Sequence, residues 1–168
     1  LGPNSLGIVN TSAKLNLCPQ GGLTQTGHIA FFSQSSGFGF AMFSWAKENN
    51  IAFSSFVSLG DRKFLDESDL LTFWANDPHT KVIAGYLENV ADGPRFLDSA
   101  GNASRKKPVI LFKPGNSPEG AIAASSHSGL LSGSDMAYSA AFRQSGIIRA
   151  QDMRELFAMS KAFSMQPL

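Results

Sequence analysis

One histidine, His127, lies in a run of small residues, Ala123-Ala124-Ser125-Ser126-His127-Ser128-Gly129. The run follows an apolar stretch, Pro108 to Phe112, that reads as a buried strand. It precedes Asp135, where a helical pattern opens. An imidazole beyond the carboxyl end of a strand stands where open α/β sheets bind ligands. Its small neighbours leave room for a bulky group on the ring. Two readings follow: a nucleophile that carries a group covalently, or a loop histidine hydrogen-bonded to backbone. What else reaches the same edge decides between them.

Two other stretches reach it. Gln34-Ser35-Ser36-Gly37-Phe38-Gly39 falls between a strand pattern, His28 to Ser33, and an apolar helix pattern from Phe40 to Ala46. A helix start offers free N–H groups and the positive end of its dipole, and small residues let phosphate oxygens reach them. No Lys follows the glycine, so this is not a Walker loop. A plain Ser N-cap would leave the same trace. Glu88 ends a third strand pattern, Lys81 to Leu87. A carboxylate that accepts a ring N–H fixes the tautomer and frees the other nitrogen to attack. An anion cradle, a carboxylate and a nucleophile on one rim favour a phosphohistidine intermediate over acyl transfer. No Gly-x-Ser-x-Gly elbow occurs, and the single Cys18 precedes the first core strand. His28 and His79 read as edge or surface residues, and Arg105-Lys106-Lys107 as a solvated helix end. No His/Cys/Asp spacing suits zinc, so no metal site is assigned.

The elements that must position these groups alternate. Strand patterns at His28–Ser33, Ile51–Ser58, Lys81–Leu87, Pro108–Phe112 and Ile147–Arg149 are separated by helical ones, and a last helix runs from Asp152 to Ser164. Buried parallel strands with right-handed crossovers follow: a three-layer α/β/α sheet of flavodoxin type, mainly parallel and five-stranded. Residues 1–27 read as an extended lead-in, whose pieces Leu6–Val9 and Leu15–Leu17 can pair as small strands. Residues 28–168 form the domain.

Composition narrows the partners. Of 168 residues only 16% are charged, and 14 are Phe against two Tyr. Such a surface suits cover by another domain or subunit. A net charge of +1 draws the chain to neither nucleic acid nor membrane. One cysteine fits a reducing cytoplasm, and no apolar run is long enough to span a bilayer. No signal peptide is visible. The chain begins at Leu1 without Met, which reads as a cut site or a domain junction.

Five stretches in order carry a resemblance: Gly2-Pro3-Asn4-Ser5-Leu6-Gly7, Ser33 to Gly39, Asp66-Glu67-Ser68-Asp69-Leu70-Leu71, Ser126 to Asp135, and Ala141-Phe142-Arg143-Gln144-Ser145-Gly146. Together they resemble the NDP-forming acyl-CoA synthetases, which are similar to the α subunit of succinyl-CoA synthetase. The resemblance implies the flavodoxin-like second domain. It implies partners in a CoA-binding Rossmann domain and an ATP-grasp domain or subunit, within an oligomer. It implies that acyl-CoA and phosphate give acyl phosphate and CoA, and that His127 then carries the phosphoryl group to a nucleoside diphosphate. Glu88 matches the carboxylate that orients the histidine. Ser35, Ser36 and Gly37 match the phosphate-holding helix start, and Ser128 and Gly129 are counted with them. CoA and nucleotide with magnesium are expected in the other domains, with no tightly bound cofactor here, so the isolated chain is expected to be inactive. The alternative is a catalytically silent regulatory domain of a synthetase-like fusion; a flavin-binding electron carrier follows from fold analogy alone. Two departures stand out: many relatives have Gly where this chain has Ser36, and Gly-Arg-Ser where it has Gly115-Asn116-Ser117.

Overall fold

The structure, a computed structural model, describes residues 1–19, 25–114 and 135–167. Its logic is set by strand β3 (Thr26–Ser33), whose alternate side chains feed two separate cores. Ile29 and Phe31 pack on one face with Met42, Ala46 and Phe157. Ala30 and Phe32 pack on the other with Leu71, Trp74 and Phe96. A strand buried on both faces is an apolar run instead of an alternation, which is how it reads in the sequence.

The other elements are β1 (Ile8–Asn10), β2 (Leu15–Asn16), α1 (Ser36–Glu48), β4 (Phe53–Ser58), α2 (Glu67–Asn76), β5 (Val82–Tyr86), α3 (Gly93–Ser104), β6 (Val109–Phe112), α4 (Asp135–Ser145), β7 (Ile148–Ala150) and α5 (Met153–Ser164). They build a seven-stranded sheet in the order β2-β1-β4-β3-β5-β6-β7. Strands β3 to β7 are parallel and follow the flavodoxin order, in which the second strand lies to one side of the first and the rest to the other. Helices α1 and α5 supply side chains to one core, and α2, α3 and α4 to the other. The expectation of five strands is therefore short by two: β1 pairs antiparallel with β4, and β2 with β1. Both are too short, at three and two residues, to show an alternation of their own.

Register matters for function. Ser33 of β3 pairs with Ser58 of β4 and with Tyr86 of β5, and Tyr86 pairs with Phe112 of β6. Four strands thus end level and deliver their loops to one rim.

Caps set the helix starts. Asp66 accepts from the N–H groups of Ser68 and Asp69 while Asp69 accepts from Asp66, a reciprocal capping box. Helix α1 begins at Ser36, four residues before the apolar pattern, because Ser35 caps it and its first two residues, Ser36 and Gly37, carry no apolar side chain. Lys107 is more than part of a solvated helix end: its Nζ donates to the carbonyls of Trp74, at 2.7 Å, and Asp77, at 2.5 Å, where α2 finishes. No helix among the described residues is long and apolar enough to cross a membrane.

Candidate active site

The strand order reverses between β3 and β5, where open α/β sheets bind their ligands. A cleft of about 590 Å³ opens there, bounded by the loops leaving β3, β4 and β5 and by Asn4.

The β3 exit forms its floor. Ser33 Oγ donates to the carbonyl of Ser35 at 2.6 Å and holds the chain extended. Ser35 caps α1, its Oγ accepting from Phe38 N at 3.3 Å. The N–H groups of Ser36 and Gly37 then have no acceptor inside the helix, and both residues line the cleft. A Cβ at Gly37 would meet only Ser35 Oγ, at 4.0 Å, so the approach to these N–H groups is open. The hydroxyl of Ser36 is committed elsewhere, donating to the carbonyl of Asn4. Ser36 thus pins the N-terminal segment and lines the cleft at the positive end of α1.

The β4 exit supplies charge. Gly60 and Arg62 both turn with left-handed backbone, φ +57° and +50°. A Cβ at Gly60 would lie 2.3 Å from the carbonyl oxygen of Pro3, so only glycine lets the N-terminal segment cross there. The turn brings Arg62 over the cleft wall, where Nη1 donates to Glu67 Oε2 at 3.2 Å and to the carbonyl of Asn89 at 3.0 Å, and Nη2 to Asn89 Oδ1. Glu67 is 1% exposed. Burial pushes its carboxyl above the usual carboxylate range, against the pull of a backbone hydrogen bond and of Arg62.

The β5 exit carries the carboxylate. Glu88 is half-buried and lines the cleft opposite the start of α1. Two residues earlier, Tyr86 has its hydroxyl pushed up to about 12 by burial and by the charge of Glu88, so it holds its proton at neutral pH. Gln34 ties the three exits together. Its Oε1 accepts from Glu88 N at 2.7 Å and Asn89 N at 3.1 Å. Its Nε2 donates to Glu67 Oε2 at 3.1 Å and to the carbonyl of Asn89 at 2.9 Å.

At the β6 exit Lys113 is 3% exposed. Its Nζ donates to the carbonyl of Pro114 at 3.1 Å and sits 4.8 Å from the centre of the Tyr138 ring. Burial lowers its basicity. The Tyr138 hydroxyl in turn accepts from Val90 N at 3.0 Å, joining α4 to the loop of Glu88.

Of the expected site residues, the structure brings Ser35, Ser36, Gly37 and Glu88 around one cleft. His127, Ser128 and Gly129 lie outside the described residues, as does the Gly115-Asn116-Ser117 turn. His28 and His79 are exposed at the opposite strand ends, the ring of His28 meeting the carbonyl of His79 at 3.2 Å. Sequence reasoning missed Gln34, Arg62, Glu67 and Asn89. Gln34 stood inside the turn already singled out. The trace of Arg62 was Gly60-Asp61, a turn signal directly after a strand. Glu67 lies in the first turn of α2 and is turned inward.

The succinyl-CoA ligase like flavodoxin domain family matches residues 26–163. The chain is 48% identical, over 94% of its length, to acetate–CoA ligase [ADP-forming] I of Archaeoglobus fulgidus, of which it covers 23%. It is 44% identical, over 99% of its length, to the α subunit of acetate–CoA ligase [ADP-forming] I of Pyrococcus furiosus, covering 36% of it. Among solved structures, the dinucleotide forming acetyl-coenzyme A synthetase 1 of Ca. Korarchaeum cryptofilum, in complex with phosphate and ADP, superposes with a TM-score of 0.93 at 42% identity. All of this chain and 37% of that one are covered. The chain thus spans between about a quarter and two fifths of the proteins it matches.

Proposed function

The chain belongs to the family of succinyl-CoA ligase like flavodoxin domains, and from that premise we propose that it is the phosphoryl-carrying domain of an ADP-forming acyl-CoA synthetase. In the direction of nucleotide synthesis, a phosphate oxygen attacks the thioester carbon, the C–S bond breaks, and the CoA thiolate takes a proton. A ring nitrogen of His127 then attacks phosphorus; the N–P bond forms and the carboxylate leaves. A nucleoside diphosphate, ADP in the relatives, accepts the phosphoryl group and frees the imidazole. The partners are a CoA-binding domain, a nucleotide-binding ATP-grasp domain or subunit, and phosphate, acting together in an oligomer.

The roles follow from the cleft. Phosphate is held by the free N–H groups of Ser36 and Gly37 with the Ser35 hydroxyl, and Ser128 and Gly129 complete its cradle. Glu88 accepts the N–H of the imidazole nitrogen that does not attack, and stabilises the positive charge that grows on the ring. The observation that carries the reading is that these N–H groups and Glu88 line one cleft at the switch point of the sheet.

The test is phosphorylation of the full-length protein by labelled inorganic phosphate with acetyl-CoA. The expected product is an acid-labile, base-stable phosphoenzyme that disappears in His127→Ala. Label retained in that variant, or no label in the wild type, would overturn the assignment. Undiminished acyl-CoA synthesis by His127→Ala would favour the silent regulatory role.

A further inference from the structure

We infer that Gln34 is a positioning residue for the carboxylate, fixing where Glu88 points by gripping the backbone on both sides of the Glu88–Asn89 peptide. This rests on the phosphotransfer reading and adds a residue to it. Gln34 is 8% exposed, and its amide is fully used. The oxygen takes the N–H groups of Glu88 and Asn89 at 2.7 and 3.1 Å, and the nitrogen gives to the carbonyl of Asn89 and to Glu67 at 2.9 and 3.1 Å. Its own N–H donates to the carbonyl of Tyr86 at 3.2 Å. One side chain therefore spans the β3 exit, which leads into the phosphate turn, and the β5 exit, which bears Glu88. It leaves the Glu88 carboxylate itself free. A helix or strand would normally satisfy such backbone groups; after Tyr86 the strand has ended, and Gln34 replaces the missing ladder. Only a side chain with both a donor and an acceptor end can do this. The same amide orders the buried carboxylate of Glu67, whose Oε2 also accepts from Arg62.

The chemistry makes the inference testable by titration. In Gln34→Glu the acceptor end survives, but the former nitrogen becomes an oxygen facing Glu67 and the carbonyl of Asn89. The grip then needs a proton, shared between residue 34 and Glu67, whose carboxyl burial already raises. Other charged or titratable groups facing this pair are Arg62 from the β4 exit, Asp66 at the cap of α2, Glu88 on the β5 exit and Tyr138 from α4. With the proton bound the geometry is kept; as pH rises through the range of the pair, the proton leaves and Glu88 is released.

The experiment is rapid-quench phosphorylation of the full-length enzyme by labelled phosphate with acetyl-CoA, across pH, for wild type, Gln34→Met and Gln34→Glu. Gln34→Met is expected to slow phosphorylation about a hundredfold at every pH, the usual cost of an ångström-scale misplacement. Relative to wild type, Gln34→Glu is expected near full rate in mild acid and to fall steadily as pH rises. A merely structural glutamine would give a ratio to wild type that does not change with pH, and that result overturns the inference. Where Gln34→Met does not fold, the Gln34→Glu profile alone decides. Wild type that takes up no label overturns the phosphotransfer reading and this inference with it. Labelled wild type with a pH-independent Gln34→Glu ratio overturns this inference only.

Discussion

Removing the guanidinium of Arg62 should destabilise the domain by an amount that depends on pH. The Arg62 side chain is 15% exposed and its partner Glu67 2%. Arg62→Ala deletes the 3.2 Å pair with Glu67 and the hydrogen bonds to the carbonyl and side chain of Asn89. Breaking a buried pair from one side typically costs about 3–5 kcal/mol, because the other charge stays buried. Among the described residues, Gln34 is then the one side-chain donor left to Glu67. The left-handed φ of +50° strains Ala as it strains Arg, so backbone strain cancels in this comparison. Arg62→Gly should accordingly be about 1 kcal/mol less harmful than Arg62→Ala. Protonation offers Glu67 an escape. Its carboxyl already titrates above the ordinary range, and loss of the cation raises it further. A carboxyl raised on folding favours the folded state fully below its unfolded value, and that contribution is lost as pH rises through its folded value. Below the unfolded carboxyl value, at about pH 3.5, the deficit should therefore shrink to the Asn89 hydrogen bonds, about 1–2 kcal/mol. By about pH 8 it should reach the full 3–5 kcal/mol. Urea unfolding of the 168-residue chain, followed by the fluorescence of Trp45 and buried Trp74, measures both ends. Equal deficits at the two pH values, or equal stability of the Ala and Gly variants, would refute the reasoning.

Glu88→Gln should leave the stability of the domain within about 0.5 kcal/mol of wild type, yet slow phosphoenzyme formation in the full-length protein about a hundredfold. Rapid quench at the wild-type rate would detach Glu88 from the imidazole. Gly85→Ala should cost about 1–3 kcal/mol by overpacking, because its Cβ would stand 2.4 Å from the ring of Phe32, which is fully buried and stacked on Trp74. An unchanged melting temperature would show that the ring can give way.

Legibility in the sequence followed burial. β3, β5 and β6 carry apolar runs between turn signals, and β4 mixes Phe53, Phe56 and Val57 with small serines, so they and the layered fold could be read directly. Order within the sheet came only with the flavodoxin type that the alternation implies, since a run of apolar residues does not itself name its neighbour. β1 and β2 were legible as short pieces that can pair with each other, but too short to show that they extend the main sheet; the start of α1 escaped because Ser36 and Gly37 carry no apolar side chain to mark the period. The ends of the cleft were legible where residue type implied chemistry, as with Glu88 and the Ser35-Ser36-Gly37 turn. Gln34 was not, because its partners Glu67 and Asn89 lie 33 and 55 residues away and only the level strand ends bring them within reach. The burial of Glu67 was not legible either: an acid in a first helical turn is common on a surface, and only tertiary packing turns this one inward.

The antiparallel strand at the sheet edge has a consequence for assembly. Because β1 runs against β4, the segment before it travels along the rim where the parallel strands finish. Gly2 donates to the carbonyl of Leu59, the carbonyl of Pro3 accepts from Asp61, and Asn4 lines the cleft. A polypeptide joined to Leu1 is consequently tethered at the mouth of the cleft instead of at the far end of the sheet. A linker of a few residues would hold such a domain at an effective concentration on the order of millimolar. Covalent linkage at Leu1 and sheet polarity together would then do for encounter what affinity would otherwise have to supply.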